Sequence, residues 1–100
     1  MEKTKAITVM SALAQPTRLA VFTLLARAGA GGMTAGGLAQ KIGTPANTMS
    51  AHLLILSQAG LVTSRRSGRN ILYEGNSDGV RKLIVFLTKS CGDGESATPE

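Results

Sequence analysis

The stretch that most constrains this chain is residues 38–75, where two short helical patterns meet at one glycine and the periodicity then changes. Thr34 can cap a helix over Ala35–Ile42, with Leu38 and Ile42 facing in, and Gly43 ends it as a helix C-terminus prefers. Thr44 is the expected cap of the next helix, with Pro45 in its first turn. Met49, Leu53 and Leu56 follow at i, i+4 and i+7, a single buried stripe, and Gly60 stops the pattern. Beyond it, Leu61–Arg66 and Ile71–Glu74 read as two strands around Ser67-Gly68-Arg69-Asn70. Two helices joined by a short glycine-containing turn form a helix-turn-helix pattern, and the hairpin behind it is a wing with a basic tip.

The flanking segments are helical as well. Ile7, Met10, Leu13 and Ala14 recur at helical spacing until Gln15 and Pro16 break the pattern. Pro16 suits the first turn of a second helix, which carries Leu19, Phe22, Leu25 and Ala26 on one face and Arg18 and Arg27 outside it. Gly29–Gly32 ends that helix. Gly36 and Gly37 are poor helix residues that would allow close backbone approach. A last helix is expected from about Asp78 to Ser90, with Val80, Leu83, Ile84 and Leu87 on one face. Val85 and Phe86 widen that face beyond what a small core needs, which points to burial against another subunit. The fold class is therefore mostly α with a small β-hairpin: about five helices plus a two-stranded wing. Residues 1–91 form one domain, and 92–100, polar and small, read as a flexible acidic tail.

Composition narrows the function. Aromatic residues make up only 3% of the chain, so its core must be aliphatic. The net charge is +5, unevenly spread. Eleven basic residues against three acidic ones leave residues 1–92 at +8, a basic body that suits a polyanionic partner. One cysteine rules out an intrachain disulfide framework. The first residues, MEKTKAITVM, do not read as a signal peptide, and no apolar run is long enough for a membrane span, so a cytoplasmic protein is expected. With one His, one Cys and no acidic pair in an apolar setting, there is no plausible triad or hydrolytic metal site, and no enzyme is expected. The glycines at 29–37 lack the Gly-Lys-Ser/Thr ending of a phosphate-binding loop.

The candidate binding residues cluster around the second helix of the pair. Ala46, Asn47, Thr48, Ser50, Ala51 and His52 occupy its exposed face, where short side chains can reach base edges and phosphates. Asn47 suits adenine, while Thr48 and Ser50 suit bases or phosphates. Arg65, Arg66 and Arg69, on or beside the wing tip, would bind phosphates or enter a minor groove. Lys41 and Arg18 are weaker candidates for backbone contact. The competing reading is a winged-helix module that uses the same faces for a protein partner, without DNA.

Three segments carry a family resemblance: ALAQPTRLAVFTLL (12–25), LAQKIGTPANTMSAHLLILSQAGLV (38–62) and RRSGRNILYEG (65–75). Through them, and above all through Ser50–Leu53 followed by Leu56–Val62, the chain resembles the ArsR-type (arsenic-repressor, ArsR/SmtB) family over roughly residues 6–91. The resemblance implies a homodimer joined through the first and last helices, and operator DNA binding that an inducer weakens. It maps the recognition residues onto Ala46, Thr48, Ser50, Ala51 and His52, with Ala51 standing where the family often has Arg. The family's sensing motifs are missing: Met33–Ala39 has no cysteine, and the last helix lacks the His and acidic ligands of the zinc-sensing type. The C-terminal FLTKSCGDGESATPE resembles an arsenite-responsive branch with two adjacent cysteines and a third beyond, of which only Cys91 remains. Three readings stay open for Cys91: an inert relic, a thiol sensor that joins Cys91 of a second subunit, or a weakened, incomplete site for arsenite or another thiol-binding metalloid.

Overall fold

The computed structural model describes residues 1–92. The acidic tail expected at the C-terminus lies, from residue 93 on, outside them. Among these residues five α-helices and one hairpin, with a single 3-10 turn at Gly29–Gly31, follow in order: α1 (Lys3–Leu13), α2 (Pro16–Ala28), α3 (Ala35–Ile42), α4 (Ala46–Gln58), β1 (Val62–Ser67), β2 (Asn70–Gly75) and α5 (Asp78–Ser90). Glu2 caps α1 by accepting from the Thr4 N–H at 3.2 Å, and Gln15 caps α2 by accepting from the Arg18 N–H at 2.8 Å. Thr34 caps α3 through the Gly37 N–H at 3.0 Å, and Gly43, at φ +84°, closes it.

The core is aliphatic apart from Phe22, in keeping with the composition. Leu25, Leu38, Met49, Leu53, Leu56, Leu61, Val9 and Val21 are its largest fully buried side chains. The α4 stripe Met49, Leu53 and Leu56 is wholly inside, each side chain contributing about 1.5–3 kcal/mol relative to exposure. Among the described residues no buried side-chain polar atom lacks a partner, and no single helix is long and apolar enough to cross a membrane.

Three helical faces differ from the stripes read in the sequence. Helix α1 packs inward through Ala6, Val9 and Ala12, while Ile7 and Met10 remain 55% and 39% exposed. Helix α2 packs through Val21, Phe22 and Leu25, leaving Leu19 and Ala26 outside. On α5 only Leu83 is buried. Val80 and Phe86 are half-buried, and Ile84 and Leu87 are 58% and 40% exposed. Helices α1 and α5 touch each other and leave these apolar side chains uncovered.

The glycine expected to permit close approach is also elsewhere. A Cβ on Gly36 would meet nothing within 4 Å, and one on Gly37 would meet only the capping Thr34 hydroxyl. Gly75, at the end of β2, is the crowded position: a Cβ there would lie 2.7 Å from the Ala26 backbone nitrogen and 2.9 Å from its Cα. The hairpin is thereby set directly on the α2 backbone. Its other anchor is a backbone bridge between Met33 and Tyr73, with N–H to O distances of 2.9 and 2.8 Å.

Candidate nucleic-acid interface

The start of α4 departs from the expected cap. Gly43 and Thr44 both donate their backbone N–H to Ala39 O, at 2.8 and 2.9 Å, so both amides close α3. Pro45, with ψ 147°, becomes the N-cap of α4, and no side chain caps the helix. The first amides of α4 are thus without a side-chain acceptor, and they sit at the positive end of the helix dipole. Ala46, Asn47, Thr48, Ser50 and Ala51 are all exposed around that end, on the side opposite Met49 and Leu53. An uncapped helix start flanked by small and polar side chains suits the close approach of a phosphate or a base edge.

His52, one turn further along, is half-buried. Arg18 Nη1 lies 3.5 Å from His52 Nδ1. A guanidinium can only donate, so Nδ1 is the accepting atom of that contact in the tautomer that carries its proton on Nε2. The same Arg18 donates from Nε to Ala12 O at 2.7 Å and from Nη2 to Ser11 O at 3.4 Å. Arg18 therefore binds the C-terminal end of α1 and steadies His52, instead of standing free outside α2. Sequence spacing gives no sign of this, because its partners lie on two other helices, α1 and α4.

The wing separates its three arginines. The strands pair antiparallel from Val62–Gly75 to Ser67–Asn70, leaving Gly68 and Arg69 as a two-residue turn with Gly68 at φ +63°. Arg65 lies diagonally across from Glu74 and binds it, Nε to Oε2 at 3.1 Å, while its Nη2 donates to Ala30 O at 3.4 Å. Arg66 falls on the opposite face, beside Ile71, and Arg69 is at the tip. Both are exposed, and neither has a hydrogen-bond or ion-pair partner among the described residues. Lys41 is exposed in the last turn of α3 and likewise without a partner there. The structure thus gathers the α4 face, and it sets Arg66 and Arg69 apart from the engaged Arg65.

Cys91 closes α5, exposed, and continues the Ile84 and Leu87 stripe at i+7 from Ile84. Among the described residues no three His, Cys, Asp or Glu side chains come together as a metal site would need.

Comparisons with known proteins agree with this geometry. A helix-turn-helix domain family matches residues 13–65, from the end of α1 to the wing. The transcriptional repressor SdpR of Bacillus subtilis is 33% identical over 89 residues, which span 85% of this chain and 96% of the repressor. An ArsR-like transcriptional regulator from Rhodococcus superposes with a TM-score of 0.82 at 27% identity, over 93% of this chain and 85% of that one. A homodimeric winged helix-turn-helix DNA-binding domain from Mycobacterium bovis superposes with a TM-score of 0.69 at 28% identity, over 96% of this chain and 87% of its own. By its fold, its matched domain and these relatives, the chain belongs to the ArsR-type family of winged helix-turn-helix transcriptional regulators.

Proposed function

We propose that the chain is a homodimeric transcriptional repressor that binds operator DNA through α4 and the wing and is released by an inducer. The observation that carries this reading is the α4 surface: one face fills the core, while the other joins an uncapped N-terminus to Asn47, Thr48 and Ser50. In the complex, α4 lies in a major groove. Asn47, Thr48, Ser50 and Ala51 meet base edges, with Ala46 and His52 at the margin. Arg66 and Arg69 bind phosphates or reach a minor groove, Lys41 binds backbone, and Arg65 contributes once DNA competes with Glu74. The exposed stripes of α1 and α5 supply the subunit interface, by analogy with the homodimeric Mycobacterium bovis domain.

The inducer acts at the subunit interface. Cys91 ends the exposed α5 stripe, so a second Cys91 near the two-fold axis would bring two thiols together. Trivalent arsenic prefers three thiolates, so arsenite would need a further ligand there, and the inert reading of Cys91 stands beside the sensing one.

The test is titration of the reduced protein against its own upstream duplex and against random duplex, repeated with arsenite, antimonite and a thiol oxidant, and with Cys91→Ser. Tight, salt-dependent preference for the upstream duplex supports the reading. Release by one agent that is lost in Cys91→Ser makes Cys91 the sensor. Indifference to both duplexes would favour the protein-interaction module instead.

A further inference from the structure

The three carbonyl groups that follow α4 are all engaged by α1 and by the approach to α5. Lys5 Nζ, on α1, donates to Ala59 O at 3.1 Å. Asn76, just ahead of α5, donates from Nδ2 to Gly60 O at 3.1 Å and from its backbone N–H to Leu61 O at 2.8 Å. Its Oδ1 accepts from the Asp78 N–H at 3.2 Å, which ties the same side chain to the first turn of α5. Ala59 and Leu61 are buried, so this joint between α4 and β1 is part of the core. Gly60 leaves room for the lysine: a Cβ at that position would lie 3.3 Å from Lys5 Nζ. An ammonium at a helix C-terminus also meets the negative end of the helix dipole.

A second polar link joins α1 to α4 further up, where Arg18 spans Ala12 O and His52. The helix with the exposed Ile7 and Met10 thus holds α4 near its middle and at its C-terminal end.

We infer that Lys5 is a positioning residue for DNA recognition, fixing with Asn76 the angle at which α1 and α5 present α4. The inference rests on the reading that α4 binds DNA and that α1 and α5 join the subunits. A dimer must match the spacing of two successive major grooves, so a small change in the tilt of α4 is felt at both half-sites. Lys5 makes its contact at the C-terminal end of α4, away from Asn47, Thr48 and Ser50, and so acts without touching DNA. Any event at the subunit interface that moves Lys5 or Asn76 pulls directly on α4, which gives an inducer a physical route to DNA release.

The test compares the native protein with Lys5→Met, which keeps the stem and loses the donor, and Lys5→Arg, which keeps a donor. Each is titrated against a duplex selected by the native protein from a random library, and against unselected random duplex, across a salt series. Amide exchange at residues 59–61 and dimer mass are followed in parallel. Lys5→Met is expected to lose roughly threefold to thirtyfold in affinity for the selected duplex. Its random-duplex affinity, salt slope and dimer mass are expected to stay native, with faster exchange at residues 59–61, and Lys5→Arg restores the native behaviour. Native affinity in Lys5→Met would overturn the inference. So would equal losses on both duplexes with a salt slope reduced by about 1, the mark of a phosphate contact. A lowered melting temperature with unchanged affinity would leave Lys5 structural only. If the native protein selects no duplex, the DNA reading itself fails. Native exchange in Lys5→Met, beside a native protein that binds, removes this role alone.

Discussion

Single glycines in this chain do opposite things, and space decides which. Gly36 lies inside α3 with nothing near its missing Cβ, so it costs helix stability without a packing return. Gly36→Ala is expected to stabilise the fold by about 0.5–1 kcal/mol in chemical denaturation. Gly75→Ala places a methyl group 2.7 Å from the Ala26 nitrogen, where only backbone can yield. The expected cost is about 1–3 kcal/mol, read from the same denaturation curves, with the wing shifted from α2. If Gly75→Ala proved neutral, the hairpin would not rest on α2 as described. The sequence cannot tell these two glycines apart, because the difference lies in what the chain brings opposite them from far away.

The helix pair and the wing were legible as elements, because stripes such as Met49, Leu53 and Leu56 and punctuation at Gly43 and Gly60 are local. What escaped was the wiring between elements. Thr44 resembles a cap, yet Pro45 takes the cap position and no side chain caps α4, and Arg18 looks free until α1 and His52 are in place. The wing gives the sharpest case for binding. Three arginines read alike in sequence, yet strand register sends Arg65 to Glu74 and leaves Arg66 and Arg69 unengaged. Arg66→Gln and Arg69→Gln are each expected to lower the slope of log affinity against log salt by about 0.9, the value for one phosphate contact. Arg65→Gln is expected to change it less, since breaking the Glu74 pair offsets what DNA gains. Titration over a salt series checks the ordering, and a larger effect from Arg65 than from Arg66 or Arg69 would reverse it and make Arg65 the main wing contact.

At the scale of the whole molecule, the uncovered faces of α1 and α5 share one cause. Periodicity marks a side chain as apolar and aligned, and a stripe that packs on a second subunit has the same pattern as one that packs on the core. Ile7, Met10, Ile84 and Leu87 are therefore regular in sequence and uncovered in the isolated chain. In a two-fold interface each substitution enters twice, so Ile84→Glu would bring two carboxylates into one apolar contact. The expected result is a monomer by sedimentation, and loss of the rise in melting temperature with concentration that an associating fold displays. DNA affinity falls with it, because one subunit reaches only one half-site. Ile71→Glu is the control: Ile71 is also exposed but lies on the wing beside Arg66, so the substitution should spare the dimer and weaken DNA binding alone. Dimers that persist in Ile84→Glu would remove α5 from the interface. They would also separate Cys91 from any second thiol, since Cys91 continues the same stripe.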